Sequence, residues 1–565
     1  MGLAELISVA RGDAPADLLL KNARMVNTFV GNIEEGNVVI CGDRIAGVGD
    51  YHQAKEIIDL KGSYLAPGLI NGHTHIESSM LHPAQYAQAV VPRGTSALVT
   101  DLHEITNVAG LEGVRFVMDW AQKLPLDMFF MAPSCVPATH METSGAEINA
   151  QDIKKALRWQ NVIGLGEMMN FPGVINGNKQ VLNKIATAQD KVLDGHAPGV
   201  SGKQLNAYIA AGIHSDHEST TLEEGREKLR RGMYLMIREG SSEKNLDALL
   251  PLVNDKTYKR CLFVVDDQSC SDLLREGDID AVVRKAIQKG LEPVRAIQLA
   301  TINAAEYFRL YDRGGITPGY IANLITITDL SQLEIDMVFY KGHLVARGGS
   351  SLLPPPESSA KELTDTIHIK PFNVEALRLT ITGESFPVIE VIPGQIVTKK
   401  RVEKVKAKDG VVLPDLEQDI LKLVVMERHR ASGNIGLGLV KGFGLKRGAL
   451  ASSIAHDSHN IIAVGSNDPD ILTAIKEIER LQGGLVVCSD AKISAALPLP
   501  IAGLLSPEPV EVVVDKFENL ETAAAGLGNV PPAPFALLSF VALPVIPELR
   551  LTDLGLVDVL AFKLI

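Results

Sequence analysis

Cysteine is scarce in this chain of 565 residues: Cys41, Cys135, Cys261, Cys270 and Cys488 are the only five, and no two form a Cys-x-x-Cys pair. An odd number without paired spacing argues against a disulfide framework and points to a reducing compartment with buried core thiols. No uninterrupted apolar run reaches 18 residues; the nearest approach, Pro534 to Pro547, is too short and is broken by Pro544, so no membrane span is expected. Met1 to Leu20 carries Glu5, Asp13 and Asp17 and lacks the apolar core of a signal peptide. Basic charge is in deficit, 55 Lys and Arg against 68 Asp and Glu for a net charge of −13. That argues against nucleic acid or an anionic membrane as partner. No strand leads into Gly-x-Gly-x-x-Gly, which weakens a dinucleotide-binding reading. Internal repeats are absent too. The expectation is a cytoplasmic globular protein with an ordinary apolar content of 46%.

The length exceeds what one hydrophobic core supports, so two to four domains are expected. Short alternating runs in LLLKNARMV, GNVVICGDRIAGVG and EIIDLKGSYLAPG read as strands, and the stretch from Gly314 to Gly349 has the same texture. The two pieces bracket a long segment in which apolar strands (TSALVTD, LDMFFMAPS, NVIGLGEM, KVLDGH, GIHSDH, MYLMIREG, CLFVVDD) alternate with amphipathic helices. That alternation, with about eight strands, favours a closed parallel barrel over an open sheet. The α/β architecture expected is a TIM-like (β/α)8 barrel, residues 67–312, inserted in a small β-sandwich made of residues 1–66 and 313–350. A Pro/Ser-rich linker at 351–363 leads to a second, α+β domain at 364–565. In that domain LRLTI, VIEVIPG, IIAVG and GGLVVCSD read as strands and DILTAIKEIERLQ as a helix.

The chain is organised around APGLINGHTHIESSM, Ala66 to Met80. His73 and His75, two apart on a strand, point to one face roughly 7 Å apart along the chain and can close on one metal ion. The other notable polar residues also sit where apolar strands end. They are Asp101, His103 and Glu104; Glu167; His196; His214, Asp216, His217 and Glu218; and Asp266 and Asp267. Singly, each could be a satisfied polar group. Together, imidazoles and carboxylates on successive strand ends converge on one rim, a cluster that is costly unless it holds a cation or is solvated. Nitrogen and oxygen donors without thiolate suit manganese, iron or catalytic zinc. A carboxylate between two His pairs can bridge two metals, and an aspartate on the last strand can carry a proton.

Several motifs carry a closer likeness: HIESSM, DLHEITNVAG, GLGEMMNFPGVI, DGHAPG, AAGIHSDHESTTLEE, DLLREGDID, GITPGYIANL and, in the second domain, ERHRASGNIGLGLVKGFGLKRGALASSIAHDSHNIIAVGSND followed by LPLPIAGLLS. In content and order they resemble the bacterial adenine deaminases of the amidohydrolase superfamily, over nearly the whole chain. The resemblance implies hydrolytic deamination of adenine to hypoxanthine and ammonia by a metal-bound hydroxide, a step of purine salvage. It implies a binuclear centre, manganese first with iron or zinc as alternatives. His73, His75 and Asp266 would hold one metal, His196 and His217 the second, and Glu167 would bridge them. Asp266 would shuttle the proton. Asp101 and Glu104 would orient the ring nitrogens or the amine, or else support a ligand His. Adenine is the partner implied, in a homo-oligomer, a dimer.

The family usually has Pro where Leu102 stands. It usually has Ser or Thr before the acidic pair and a basic residue after it, where this chain has Val265 and Gln268. A loop base that could touch substrate is therefore absent. His214 is expected to lie off the metals. His456-Asp457-Ser458-His459-Asn460 cannot converge as a hydrolase triad, being sequential neighbours. The block is either structural or part of a lid with His or Asn reaching substrate. Two rival functions remain: hydrolysis of a cyclic amide or another amino-heterocycle, and a non-catalytic metal-binding barrel.

Overall fold

The computed structural model describes residues 2–565 apart from 356, 360, 382, 393 and 394. Its centre is a ring of parallel strands: β1 (Leu69–His75), β2 (Thr95–Asp101), β3 (Asp127–Ala132), β4 (Val162–Met168), β5 (Val192–Gly195), β6 (Ser215–Asp216), β7 (Tyr234–Arg238) and β8 (Cys261–Val264, resuming at Asp266–Asp267). β8 pairs back onto β1, with Asp266 opposite Thr74. β5 and β6 are joined by side chains: Gly195 N–H donates to Ser215 Oγ at 3.0 Å and Ser215 donates to Asp194.

Strands in a parallel barrel are buried on both faces, and β1 and β2 are buried at every position. Alternate residues divide the work. Ala97 and Val99, Phe129 and Met131, Met236, and Leu262 and Val264 pack in the barrel interior. Leu98, Phe130, Leu235, Ile237 and Phe263 pack outward, in the larger core. The same parity carries Asp101 and Asp266 to the interior rim. β1 breaks parity, because Ile70 lies in the interior core although His73 and His75 are odd-numbered. A register irregularity between Asn71 and Thr74 accommodates the change.

The strands at Ala16–Asn27, Asn32–Cys41, Arg44–Gly49, Ala54–Asp59 and Tyr64–Pro67 and those at Leu324–Ile327, Ile335–Tyr340, His343–Arg347 and Ser350–Ser351 form one nine-stranded sheet. Leu324–Ile327 runs antiparallel to Tyr64–Pro67. The sheet folds over itself, its flanks meeting where Ile45 N–H donates to Tyr320 O at 2.8 Å, and encloses Leu20, Val38, Leu65, Leu324 and Phe339. The two β-rich pieces expected to form the sandwich thus join in one hydrogen-bonded sheet around a shared core. Of the linker expected at 351–363, residues 356 and 360 lie outside the described residues.

The carboxy-terminal part is built on an eight-stranded sheet: β9 (Ser385–Val391), β10 (Thr398–Lys404), β11 (Ile420–Met426), β12 (Ile435–Lys441), β13 (Ala449–Ser452), β14 (Ile461–Gly465), β15 (Gly484–Ser489) and β16 (Lys492–Pro498). Their order is β10-β9-β12-β11-β14-β13-β15-β16. The helix Asp468–Leu481 covers one face with Ile471, Ala474, Ile475 and Ile478. On the other side the helix Val510–Ala525 packs with Val513, Val514 and Leu520 in a core continuous with that of the barrel. LRLTI is not a strand. Its first residue closes a 3-10 turn, Val374–Leu377, and Thr380 makes only a bridge to Val411.

The two parts are stitched together near the barrel mouth. His82 N–H donates to Ser506 O at 3.0 Å and Ser506 N–H to Met80 O at 2.8 Å. No described helix is long and apolar enough to cross a membrane.

Candidate metal centre and active site

Glu167 is the hub of the rim. Its Oε1 lies 3.1 Å from His75 Nε2, and its Oε2 lies 2.7 Å from His196 Nδ1 and 3.2 Å from His217 Nε2. One carboxylate thus stands between imidazoles of β1 and imidazoles that follow β5 and β6. Burial alone would raise Glu167, but His217, His196 and His75 hold it well below the usual glutamate range. Asp266 faces the first pair, its Oδ1 lying 3.5 Å from His73 Nε2 and 3.2 Å from His75 Nε2. Its backbone has φ +68°, an uncommon conformation for a residue with a side chain, which marks the strand break that brings the carboxylate over the rim.

The outer nitrogens of the first pair are committed. His75 Nδ1 lies 2.9 Å from the carbonyl oxygen of Asp101, which can only accept, so Nδ1 carries a proton. His73 Nδ1 lies 3.1 Å from Asp194 Oδ2. The inner Nε2 of each ring then faces carboxylate oxygens. A lone pair aimed at an anion is repulsive, so the gap calls for a cation. Nε2 of His73 finds no hydrogen-bond partner among the described residues, and the side chain is fully buried. Where only protons are at hand they fill this role: burial pulls His73 down, yet Asp194 and Asp266 carry it up to about 10. The donor set fits divalent metal ions. His73, His75 and Asp266 bring ligand atoms within 4.8 Å of one another, as do His73, Glu167 and His217, and His196, His217 and Glu218.

All six residues expected at the metals therefore meet at one rim, with His73 and His217 stacked at 4.3 Å between ring centres. His214 is exposed and apart from them.

Asp101 and Glu104 part company. Asp101 Oδ2 accepts from Glu167 N–H at 2.9 Å, lying against Gly166, where a Cβ would stand only 2.0 Å from that oxygen. Asp101 thus holds the backbone of the hub. Burial pushes it up to about 6, with His103 opposing and Glu167 adding to the rise. Glu104 lines a cavity of about 100 Å³ together with Glu77, Asp267, His456, His459 and Phe540. A larger cavity of about 870 Å³, reached by His196, Glu218, Arg238 and Glu243, lies on the other side of Phe540 and Ala536.

Two participants, Arg238 and Asp194, are not singled out by the sequence; a third, His103, is named there only by its place at a strand end. Arg238, at the end of β7, donates to Asp266 Oδ2 at 2.7 Å and to both oxygens of Glu218. A buried base thus reaches Asp266 from a neighbouring strand, although the loop position at Gln268 carries none. His103 packs edge-on to His75, 4.7 Å between centres. Asp194 orients His73. All three follow the strand-end pattern, in which a ligand and its support look alike.

The amidohydrolase family model matches residues 64–345, and the adenine deaminase C-terminal domain model matches residues 395–563. A protein named adenine deaminase from Dehalococcoides mccartyi is 65% identical over 563 residues, covering 100% of this chain and 99% of that one. An adenine deaminase 2 from Carboxydothermus hydrogenoformans is 47% identical, with 100% and 99% covered. Among solved structures, a zinc-bound adenosine deaminase from Xanthomonas campestris aligns with 60% of this chain and 94% of its own, at 13% identity and a TM-score of 0.46. The chain belongs to the adenine deaminase family of the amidohydrolases.

Proposed function

We propose that this protein hydrolyses adenine to hypoxanthine and ammonia, and that the observation carrying this reading is the place of Glu167 between two imidazole pairs. In the net reaction the C6–N bond breaks, a C6–O bond forms and the leaving nitrogen gains protons. His73, His75 and Asp266 would hold one divalent ion and His196 and His217 a second, with the Glu167 carboxylate standing between the two groups. A pair of such ions supplies Lewis acidity and lowers the pKa of water near neutrality. The Asp266 carboxylate accepts a proton from the attacking water and returns it to the departing amine. Arg238 keeps that carboxylate turned toward the rim. Asp101 fixes Glu167 through its backbone, and Glu104 faces the purine from the wall of the smaller cavity.

The smaller cavity combines apolar surface (Ile454, Leu485, Leu504, Phe517) with a few convergent polar groups, as suits a flat heterocycle. The mixed imidazole and carboxylate set without thiolate suits manganese, iron or catalytic zinc, and manganese is the first choice of this reading. The product would place the activity in purine salvage.

The test is a panel assay on metal-loaded protein with adenine, adenosine and a cyclic imide, scored for ammonia and hypoxanthine. Ammonia from adenine is the expected result. Turnover of the imide with none from adenine would overturn the substrate assignment. Glu167→Gln is expected to bind less than one metal per chain and to lose activity.

A further inference from the structure

We propose that His456 and His459, on the loop joining β13 to β14, are positioning residues for the reaction: they clamp both oxygens of Glu104 and aim that carboxylate into the small cavity. The proposal rests on the reading of adenine as substrate and adds to it the carboxy-terminal domain's share in the active site.

Each arm of the clamp is defined. His456 Nδ1 donates to Glu104 Oε1 at 2.6 Å, and His459 Nε2 donates to Glu104 Oε2. The tautomer of His459 is fixed from behind. Its Nδ1 accepts from Ala455 N–H at 3.2 Å, so the ring proton sits on Nε2, facing Glu104. Burial holds this ring down to about 4, and it stays a neutral donor near neutral pH. His456 is the other kind of arm. Burial opposes its charge, but Glu104 carries it up to about 9. It also stacks on Phe540, 4.5 Å between centres at 19°. A glutamate has three free torsions, and one donor on each oxygen removes most of that freedom before substrate arrives.

The loop that carries the clamp is itself held. Arg428 Nε donates to His459 O, and Arg428 Nη2 to Ala502 O at 3.0 Å. His429 Nε2 lies 2.7 Å from Ser458 O. Asn460 Nδ2 reaches across to the barrel side, donating to Thr143 O at 2.8 Å. The segment Glu427–Arg430 thus acts at one remove, through the loop. An ion pair that only glued two domains would have no reason to lie on a cavity wall beside the rim, with one arm kept neutral.

The experiment is a double-mutant cycle on the full, metal-loaded chain, with His459→Phe, His459→Gln, Glu104→Gln and His459→Phe/Glu104→Gln. Adenine turnover, bound metal and thermal midpoint are measured for each. His459→Phe should lower kcat/KM by about 10–100-fold with metal per chain unchanged. His459→Gln, whose amide can still donate, should recover part of that loss. The double variant should fall no further than Glu104→Gln alone. If His459→Phe does not fold, His456→Gln, at a ring 12% exposed, carries the same cycle. Variants within about two-fold of the unaltered protein, or losses that multiply in the double variant, overturn the clamp while the reaction stands. No ammonia from adenine in the unaltered protein overturns the reaction, and the clamp falls with it.

Discussion

Arg238 donates to Asp266 Oδ2 at 2.7 Å and leaves Oδ1 to face His73 and His75. The two oxygens of one carboxylate are thereby given different tasks, and the guanidinium does this from a neighbouring strand with Glu218 as its counterweight. Arg238→Met should strip a buried counter-charge from Glu218 and from the outer oxygen of Asp266, costing about 3–5 kcal/mol of stability. Arg238→Lys keeps the charge but loses the two-nitrogen grip on Glu218 and should cost less. Thermal melts and adenine kinetics on both variants check the order; equal behaviour of the two would refute the geometric role.

Asp194 is the acceptor behind His73, and Ser215 and Gly195 hold it in place. Asp194→Asn should weaken metal binding about 10–100-fold, with a much smaller effect on kcat once the protein is saturated. Competition against a chelator of known affinity reads the first quantity, and kinetics in excess metal the second.

Gly166 makes room for Asp101. Gly166→Ala puts a methyl 2.5 Å from Asp101 Cγ, so the carboxylate must leave Glu167 N–H. Strain of this sort costs about 1–3 kcal/mol, and activity should fall with it. In an Asp101→Ala background the same change should be nearly silent, because the clash and the bond are both gone. A full additional loss there would show that Gly166 matters for another reason.

Glu142 sets a pH dependence away from the rim. Its Oε1 accepts from Thr139 N–H at 3.0 Å, while Oε2 has no partner among the described residues. Burial, reinforced by Asp457, pushes its carboxyl from 4.5 up to about 8. The folded state then holds a proton that the unfolded chain releases, so stability falls as pH rises from about 4.5 to about 8. Glu142→Gln should match the unaltered protein below that window and exceed it increasingly across it. Denaturant titrations at several pH values decide; a constant difference would rule out the titration.

The rim was legible because each proposed ligand ends an apolar strand, and a barrel gathers strand ends on one face. His73, His75, Glu167, His196, His217 and Asp266 all obey that rule. The rule says nothing of where a side chain turns. Asp101 and Glu104 lie three apart on the same connection, yet one serves a backbone amide and the other a cavity. What separates them is a missing Cβ at Gly166 and two rings some 350 residues further on. Contacts of that span leave no periodicity to read, so the loop at His456 could be singled out by composition but not assigned. The pairing of Tyr64–Pro67 with Leu324–Ile327 was hidden for a related reason: alternation marks strands but not their partners.

Pro67 lies opposite Leu324, and Tyr64 opposite Ile327. At about 20 residues per second, translation separates such partners by roughly 13 s. During that interval the amino-terminal strands exist with an unsatisfied edge, open to any neighbouring nascent chain. The whole barrel must be synthesised before that edge is covered, so the amino-terminal strands wait longer for their partner than any neighbouring pair within the barrel.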